Sequence, residues 1–127
     1  MNIEELREYC MDKISVEETF PFGEDTLVFK VMGKAFLLTG LGENPLSFNV
    51  KCDPEKAVQL REEYNCVQPG YHMNKKHWNT IEVDGSVPDR MLREWIDHSY
   101  EQVCAGLSKR VQEKILKDEE KRKKKKK

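Results

Sequence analysis

The sequence predicts an α+β domain: an antiparallel sheet of about five strands with three to four helices, in the order α-β-β-β-α-β-β-α-α. Segments with the two-residue alternation of strands are grouped together and do not alternate strictly with helical segments. The connections between consecutive strands are short, which favours antiparallel pairing. A chain of 127 residues is long enough for one domain with a modest core.

The first part of the chain predicts one helix and three strands. "NIEELREYCMDK" has apolar residues at helical spacing, and Asn2 is a suitable N-cap. "VEETFPFGEDT" is irregular because Pro21 and Gly23 interrupt it. "TLVFKV", "KAFLLTGL" and "LSFNVKC" then alternate as strands do, and Gly33 can supply the positive φ of a tight hairpin turn.

The second part predicts a helix, about two strands and two further helices. "DPEKAVQLREEY" begins with Asp53 as N-cap and Pro54 at the first helical position. "CVQPGYHM" is irregular at Pro69, whereas "HWNTIEV" alternates and is rich in β-branched residues. "SVPDRMLREWIDHSYEQVCAGL" has the widest apolar stripe and predicts the main helix, and "SKRVQEKIL" predicts a short final one.

Charge is distributed unevenly along the chain. The net charge is −1, but residues 1–116 carry −6, whereas "KDEEKRKKKKK" at residues 117–127 carries +5. We therefore expect a folded domain over residues 1–116 and a disordered basic tail over residues 117–127. An acidic body does not attract nucleic acid as a whole, so such binding would require a local concentration of lysines.

Several functional classes are disfavoured. No apolar run approaches the roughly 18 residues that span a bilayer, and the acidic N-terminal segment is unlike a signal peptide, so we expect a cytoplasmic protein without membrane contact. The cysteines and histidines lack metal-site spacing, so neither a metal nor a cofactor is predicted. No nucleotide or hydrolase motif is present, and a non-catalytic protein is expected. The one possible nucleophile and base pairing is Cys66 with His72 or His77.

The stretch "GYHMNKKHWNTIEVDGSVPD", residues 70–89, is the candidate site. On a functional interpretation its lysines contact phosphates, Trp78 and Tyr71 stack on bases, and Asn74 and Asn79 hydrogen-bond to backbone or base edges. On a structural interpretation Trp78 faces the core, Tyr71 covers the sheet edge, the asparagines bond local backbone and the lysines are solvated. Both interpretations agree with the sequence. The residues predicted to bind nucleic acid are Asn74, Lys75, Lys76, His77 and Trp78.

Three ordered segments resemble one family. "PFGEDTLVFKVMGKAFLL", "GYHMNKKHWNTIEVDGSVPD" and "LREWIDHSYEQV" are similar to the MmcQ/YjbR family of small, mostly bacterial proteins, and the resemblance covers roughly residues 2–116. It implies a two-layer α+β fold similar to frataxin-like proteins and secretion chaperones. It also implies a DNA-binding function, associated with a "double wing" of strands. The chaperone-like architecture implies an alternative, a protein-interaction adaptor.

Overall fold

A computed structural model describes residues 1–125. The predicted α+β class and antiparallel sheet are confirmed. The elements are, in order, α1 (Ile3–Met11), β1 (Val16–Thr19), β2 (Thr26–Val31), β3 (Lys34–Gly40), β4 (Ser47–Lys51), α2 (Pro54–Glu63), β5 (Val67–Pro69), β6 (Trp78–Glu82), α3 (Asp89–Ala105) and α4 (Lys109–Lys125).

The strands form one sheet in the order β1-β2-β3-β4-β6-β5, with every neighbouring pair antiparallel. The sixth strand is β1, which lies in the segment that the sequence predicts to be irregular. It is a four-residue edge strand, "VEET", and it contains no fully buried residue. Its alternation is therefore too weak to detect. Tertiary contacts fix it instead, because Glu18 accepts two hydrogen bonds of 2.7 Å from Arg7 on α1.

The sheet has one buried face and one face that carries no helix. Alternate residues of the central strands, such as Phe48, Val50 and Ile81, are buried in a core that also contains residues of all four helices. Their neighbours along the strands, such as Asn49 and Thr80, point the other way and remain partly exposed. We call this second surface the helix-free face; antiparallel sheets commonly leave one face open to water.

The main helix α3 is tied to the sheet by a buried serine as well as by apolar packing. Leu92, Trp95, Ile96 and Val103 form its buried stripe. Ser99 is fully buried, and its hydroxyl donates to the Phe36 carbonyl and accepts a hydrogen bond of 2.8 Å from the Lys51 amide. Because β2 and β3 shift register next to Phe36, this hydroxyl pairs a carbonyl that the irregular pairing leaves free.

Helix α4 extends past the boundary predicted at residue 116. Residues 117–125 continue the helix and do not form the expected disordered segment, and residues 126 and 127 lie outside the described residues. Ile115 is buried in the core. Ser15 donates to Asp118 at 3.0 Å, and Arg122 donates to the carboxylate of Asp12 at 2.6 Å. These contacts hold the helix beyond the predicted end. None of the helices in residues 1–125 has the length and apolar character that crossing a membrane requires.

Candidate nucleic-acid interface

Strand pairing brings Lys51 and Trp78 side by side. Lys51 at the end of β4 pairs directly with Trp78 at the start of β6. Val50 and Asn79 form the next pair and point towards the helices, so Lys51 and Trp78 lie on the helix-free face. We call this end of the sheet, where β4 ends and β6 begins, the Trp78 end. It holds a cation and an aromatic ring at adjacent positions.

The structure contradicts the interpretation that Trp78 faces the core. Its indole is only half-buried and belongs to the helix-free face. The inward positions of β6 are occupied instead by Ile81 and by Asn79, which is 1% exposed. Asn79 donates to the Ala57 carbonyl at 3.3 Å, so this asparagine bonds local backbone and is not available to a ligand.

The 70–77 loop, which joins β5 to β6, is built around internal hydrogen bonds. The Gly70 amide donates to the Trp78 carbonyl at 2.9 Å, and the Met73 amide donates back to Gly70. The Asn74 carbonyl accepts from the amides of His77 and Trp78. The loop also requires a glycine, because a Cβ at Gly70 would lie 2.9 Å from the Cβ of Trp78. The loop therefore has a defined conformation.

Arg61 on α2 fastens the loop from the helix side of the sheet. Its Nε donates to Oδ1 of Asn79 at 2.7 Å, and its Nη2 donates to the carbonyls of Trp78 and Lys75. One guanidinium thus connects α2, β6 and the loop, which its planar set of donors suits well. The arrangement keeps the loop at a fixed position relative to the helix-free face.

The predicted site residues have different surroundings in this loop. Lys75 and Lys76 are both exposed, but the Lys75 ammonium also donates to the Gly70 carbonyl at 3.2 Å. Asn74 is exposed, and its side-chain oxygen accepts from the Lys76 amide at 3.0 Å. His77 is half-buried, and its backbone carbonyl accepts from the Cys52 amide. The structure therefore brings the five predicted residues together but leaves only some of them free to contact a ligand.

Tyr71 is the most exposed aromatic residue of the loop. It is 71% exposed, and its ring packs against that of His72 at a tilt of 54°, with 4.0 Å between the ring centroids. Its amide donates to the Thr80 hydroxyl at 2.9 Å, which anchors the residue to β6. Tyr71 does not cover the sheet edge. It presents a ring to solvent from a fixed backbone.

Sequence reasoning missed Lys51 and Arg61 as parts of this site. The signal for Lys51 was present, because it alternates with Val50 in a strand whose other face is buried. It could not be assigned to the site without the β4–β6 register. Arg61 gave no such signal, because its partners lie 14 to 18 residues further along the chain.

The two ends of the sheet differ in charge. Lys51, Lys75 and Lys76 lie at the Trp78 end. The opposite end, where Glu82 terminates β6, also carries Glu24, Asp25 and Glu43 in the loops that join β1 to β2 and β3 to β4. Three lysines therefore lie at the end of the sheet that also carries Tyr71 and Trp78, and such a local concentration of lysines is what nucleic-acid binding by an acidic body would require.

We examined residues 1–125 for a metal-binding cluster and for a reactive cysteine. No group of three or more potential ligand residues comes together there to hold a metal ion. Burial raises the pKa of the Cys52 thiol to about 11 and that of Cys10 to about 12, which disfavours the reactive thiolate. Cys66 is buried in the core, whereas His72 is exposed, and no hydrogen bond joins Cys66 to either candidate histidine among the described residues.

Comparison with known proteins identifies the family. The YjbR family profile matches residues 11–102, about three quarters of the chain. The chain belongs to the YjbR family. The match confirms the resemblance carried by the three sequence segments. It covers β1 to β6 and most of α3, including the 70–77 loop, and it ends before α4 begins.

Individual relatives agree with this assignment. The chain is 36% identical to the uncharacterized protein YjbR of Escherichia coli K12 over 80% of its own length and 86% of that protein. It is 38% identical to the uncharacterized protein YbdF of Escherichia coli O157:H7, over 79% and 82% of the two chains. The crystal structure of Deinococcus radiodurans protein DR2400, which contains a DUF419 domain, superposes with a TM-score of 0.84 at 38% identity, covering 90% of this chain and 87% of that one.

Proposed function

We propose that this YjbR-family domain is a non-catalytic module that binds nucleic acid, DNA in the first instance, at the Trp78 end of its sheet. The observation that carries the proposal is the fixed loop that holds an exposed Tyr71 and an exposed Lys76 beside Trp78 and Lys51. Aromatic rings stack on unpaired bases, and neighbouring lysines neutralise phosphates.

The rigidity of the loop supports this function over a merely solvated surface. A ligand that binds a preformed site does not have to order it, so less binding free energy is lost. Arg61 and the internal hydrogen bonds hold the loop before any ligand arrives. Within the loop we assign phosphate contact mainly to Lys76, because the ammonium of Lys75 also supports the Gly70 carbonyl.

Matched substitutions test the proposal. Y71A and K76A should each weaken binding of a labelled oligothymidine, with a loss on the order of tenfold for Y71A from stacking worth about 1–3 kcal/mol per base. F22A removes an aromatic side chain of equal exposure, 72%, from the opposite end of the sheet, and R90A removes one exposed charge from α3. Both controls should bind like the wild type. Equal losses in controls and loop variants would refute a site at the Trp78 end.

A protein-interaction adaptor is the second candidate, and one feature favours it. Phe20 and Phe22 in the β1–β2 loop are 49% and 72% exposed. Leu41 is also exposed, and its amide donates to the Asp25 carbonyl in the same loop at 2.7 Å. An apolar surface at the acidic end of the sheet suits a partner protein with apolar and basic groups. If Y71A and K76A leave nucleic-acid binding unchanged, this surface becomes the leading candidate.

A further inference from the structure

Helix α4 is a basic segment of an otherwise acidic chain, and several of its cations recur at helical spacing. Nine basic and four acidic residues give Lys109–Lys125 a net charge of +5, whereas residues 1–108 carry −8. Five exposed cations recur every three or four residues and so share one side of the helix. We call them the α4 ridge: Arg110, Lys114, Lys117, Lys121 and Lys124.

In the part of the chain that the structure describes, the five cations of the α4 ridge are not held in ion pairs. Within residues 1–125 none of its five cations forms an ion pair, whereas Arg122 pairs with Asp12 and Lys123 lies 3.8 Å from Glu119. The contacts of Arg122 and Asp118 with Asp12 and Ser15 fix the rotation of the helix. The helix therefore presents the ridge to solvent in a defined orientation.

From this geometry we infer that the α4 ridge is a second contact surface for the nucleic-acid backbone, acting together with the Trp78 end. The inference rests on the proposed function. From Arg110 to Lys124 the ridge extends about 21 Å along the helix, at 1.5 Å per residue. A linear array of unpaired cations suits a linear array of phosphates, and each contact releases counterions.

Helix α4 is held near the end of the sheet that carries Lys51 and Trp78, so one nucleic acid that passes around this end would reach both surfaces. Val16 at the start of β1 pairs with Val31, and strand pairing continues from there to Lys51 and Trp78, so β1 and β6 begin at the same end of the sheet. Four strand spacings separate these starts, or about 19 Å. Ser15, which holds α4 through Asp118, directly precedes β1.

An anionic membrane surface is the less suitable partner. Helices that lie in a membrane interface bury a broad apolar face in the lipid. In α4 the apolar side chains Val111 and Ile115 are directed into the protein, and only Leu116 is largely exposed, at 57%. The ridge could attract anionic headgroups, but α4 has no broad exposed apolar face to bury in the lipid.

The test compares two full-length double variants that remove equal charge from α4. K114Q/K121Q changes the ridge, and K109Q/K123Q changes exposed lysines on another side of the helix. Binding of a labelled 20-nucleotide oligothymidine is titrated at several salt concentrations. K114Q/K121Q should weaken binding on the order of tenfold at low salt and reduce the slope of log K against log salt by about 1.4, or about 0.7 per lost contact. K109Q/K123Q should change affinity by less than about twofold, since its lysines lie off the ridge.

The other outcomes are decisive as well. Equal losses of affinity in the two double variants would mean that only the net charge of α4 matters. Such a result would overturn the inference that the α4 ridge is a specific contact surface. If Y71A and K76A weaken binding while K114Q/K121Q does not, the proposed function stands and the ridge is refuted. If K114Q/K121Q alone weakens it, the ridge binds nucleic acid by itself, and both the loop site and its joint action with the ridge are refuted. Ridge-dependent binding to phosphatidylserine vesicles without binding to oligothymidine or a 20-base-pair duplex would overturn the inference in favour of a lipid surface.

Discussion

The guanidinium of Arg61 and the side-chain amide of Asn79 are joined by a hydrogen bond of 2.7 Å. This contact connects α2 to the inward face of β6, directly beside Trp78 on the outward face. Asn79 is buried, so its oxygen has no access to water as an alternative partner. The same guanidinium holds the Lys75 and Trp78 carbonyls, which makes it the structural support of the candidate site.

Replacing Arg61 should therefore destabilise the domain and loosen the loop together. R61A removes the charged donor and leaves a buried acceptor unpaired, so we expect a loss of about 2–3 kcal/mol in the free energy of unfolding. Urea denaturation measures it. R61K supplies one ammonium group in place of the planar set of guanidinium donors. Its free energy of unfolding should therefore lie between those of R61A and the wild type. If R61A unfolds at the wild-type urea concentration, Arg61 is not the support described here.

Gly70 is the second support of the loop, and its role is steric. G70A places a methyl group 2.9 Å from the Cβ of Trp78 and 3.0 Å from the Trp78 carbonyl, so the backbone must shift. We expect a destabilisation of about 1–3 kcal/mol, typical of overpacking. G106A is the matched control, because its new methyl group meets nothing closer than 3.5 Å. The thermal unfolding midpoint of G70A should be clearly lower than that of G106A. Equal midpoints would contradict the close approach at Gly70.

The fold could be predicted largely because its central elements follow strong local patterns. The alternation in β4 and the apolar stripe of α3 reflect burial on one side, which sequence periodicity reports directly. β2 and β3 are short, largely apolar segments with consecutive buried residues, and their composition is typical of strands. The edge strand β1 was missed because only tertiary contacts define it. The helical state of residues 117–125 was missed because it depends on contacts with Asp12 and Ser15 more than 100 residues away.

The candidate site was less accessible to prediction than the fold. A loop rich in lysine and aromatic residues is visible in the sequence, but the exposure of each side chain depends on register. Whether Trp78 or Asn79 points inward is decided by the pairing of β6 with β4, and a shift of one residue would exchange their faces. The sequence could therefore name the loop but could not separate Tyr71 and Lys76 from residues whose groups are already engaged.

The buried thiols provide a test that is independent of ligand binding. Burial raises the pKa values of Cys10 and Cys52 above their ordinary value near 9. The thiols ionise more readily in the unfolded chain. Their contribution to stability is therefore present below pH 9 and is lost as the pH rises through their pKa values in the folded protein. At pH 8 a disulfide reagent should modify these two cysteines only at the rate of local opening. Mass spectrometry of C10A and C52A variants assigns the sites, and rapid labelling of the native protein at either position would contradict their burial.

His98 gives the protein a pH dependence on the acidic side. Its ring is half-buried, and Nε2 accepts a hydrogen bond of 3.2 Å from the Asp53 amide at the start of α2. That contact requires the neutral ring. Burial, assisted by the nearby Lys56 ammonium, lowers the pKa of His98 below its usual 6.5, while Glu101 and Asp53 oppose the shift.

The sign of the effect follows from linkage. The unfolded chain takes up a proton at His98 near pH 6.5, whereas the folded protein resists it, so acidification favours unfolding. The contribution is fully present above pH 6.5 and is lost as the pH falls through the lowered folded value. H98Q retains an acceptor for the Asp53 amide but cannot titrate, so the melting temperature of the wild type should fall relative to H98Q between pH 7.5 and 5. The carboxylates common to both proteins cancel in this comparison. If the melting temperatures of wild type and H98Q change equally with pH over that range, the ring of His98 does not titrate in the way that its buried contact requires.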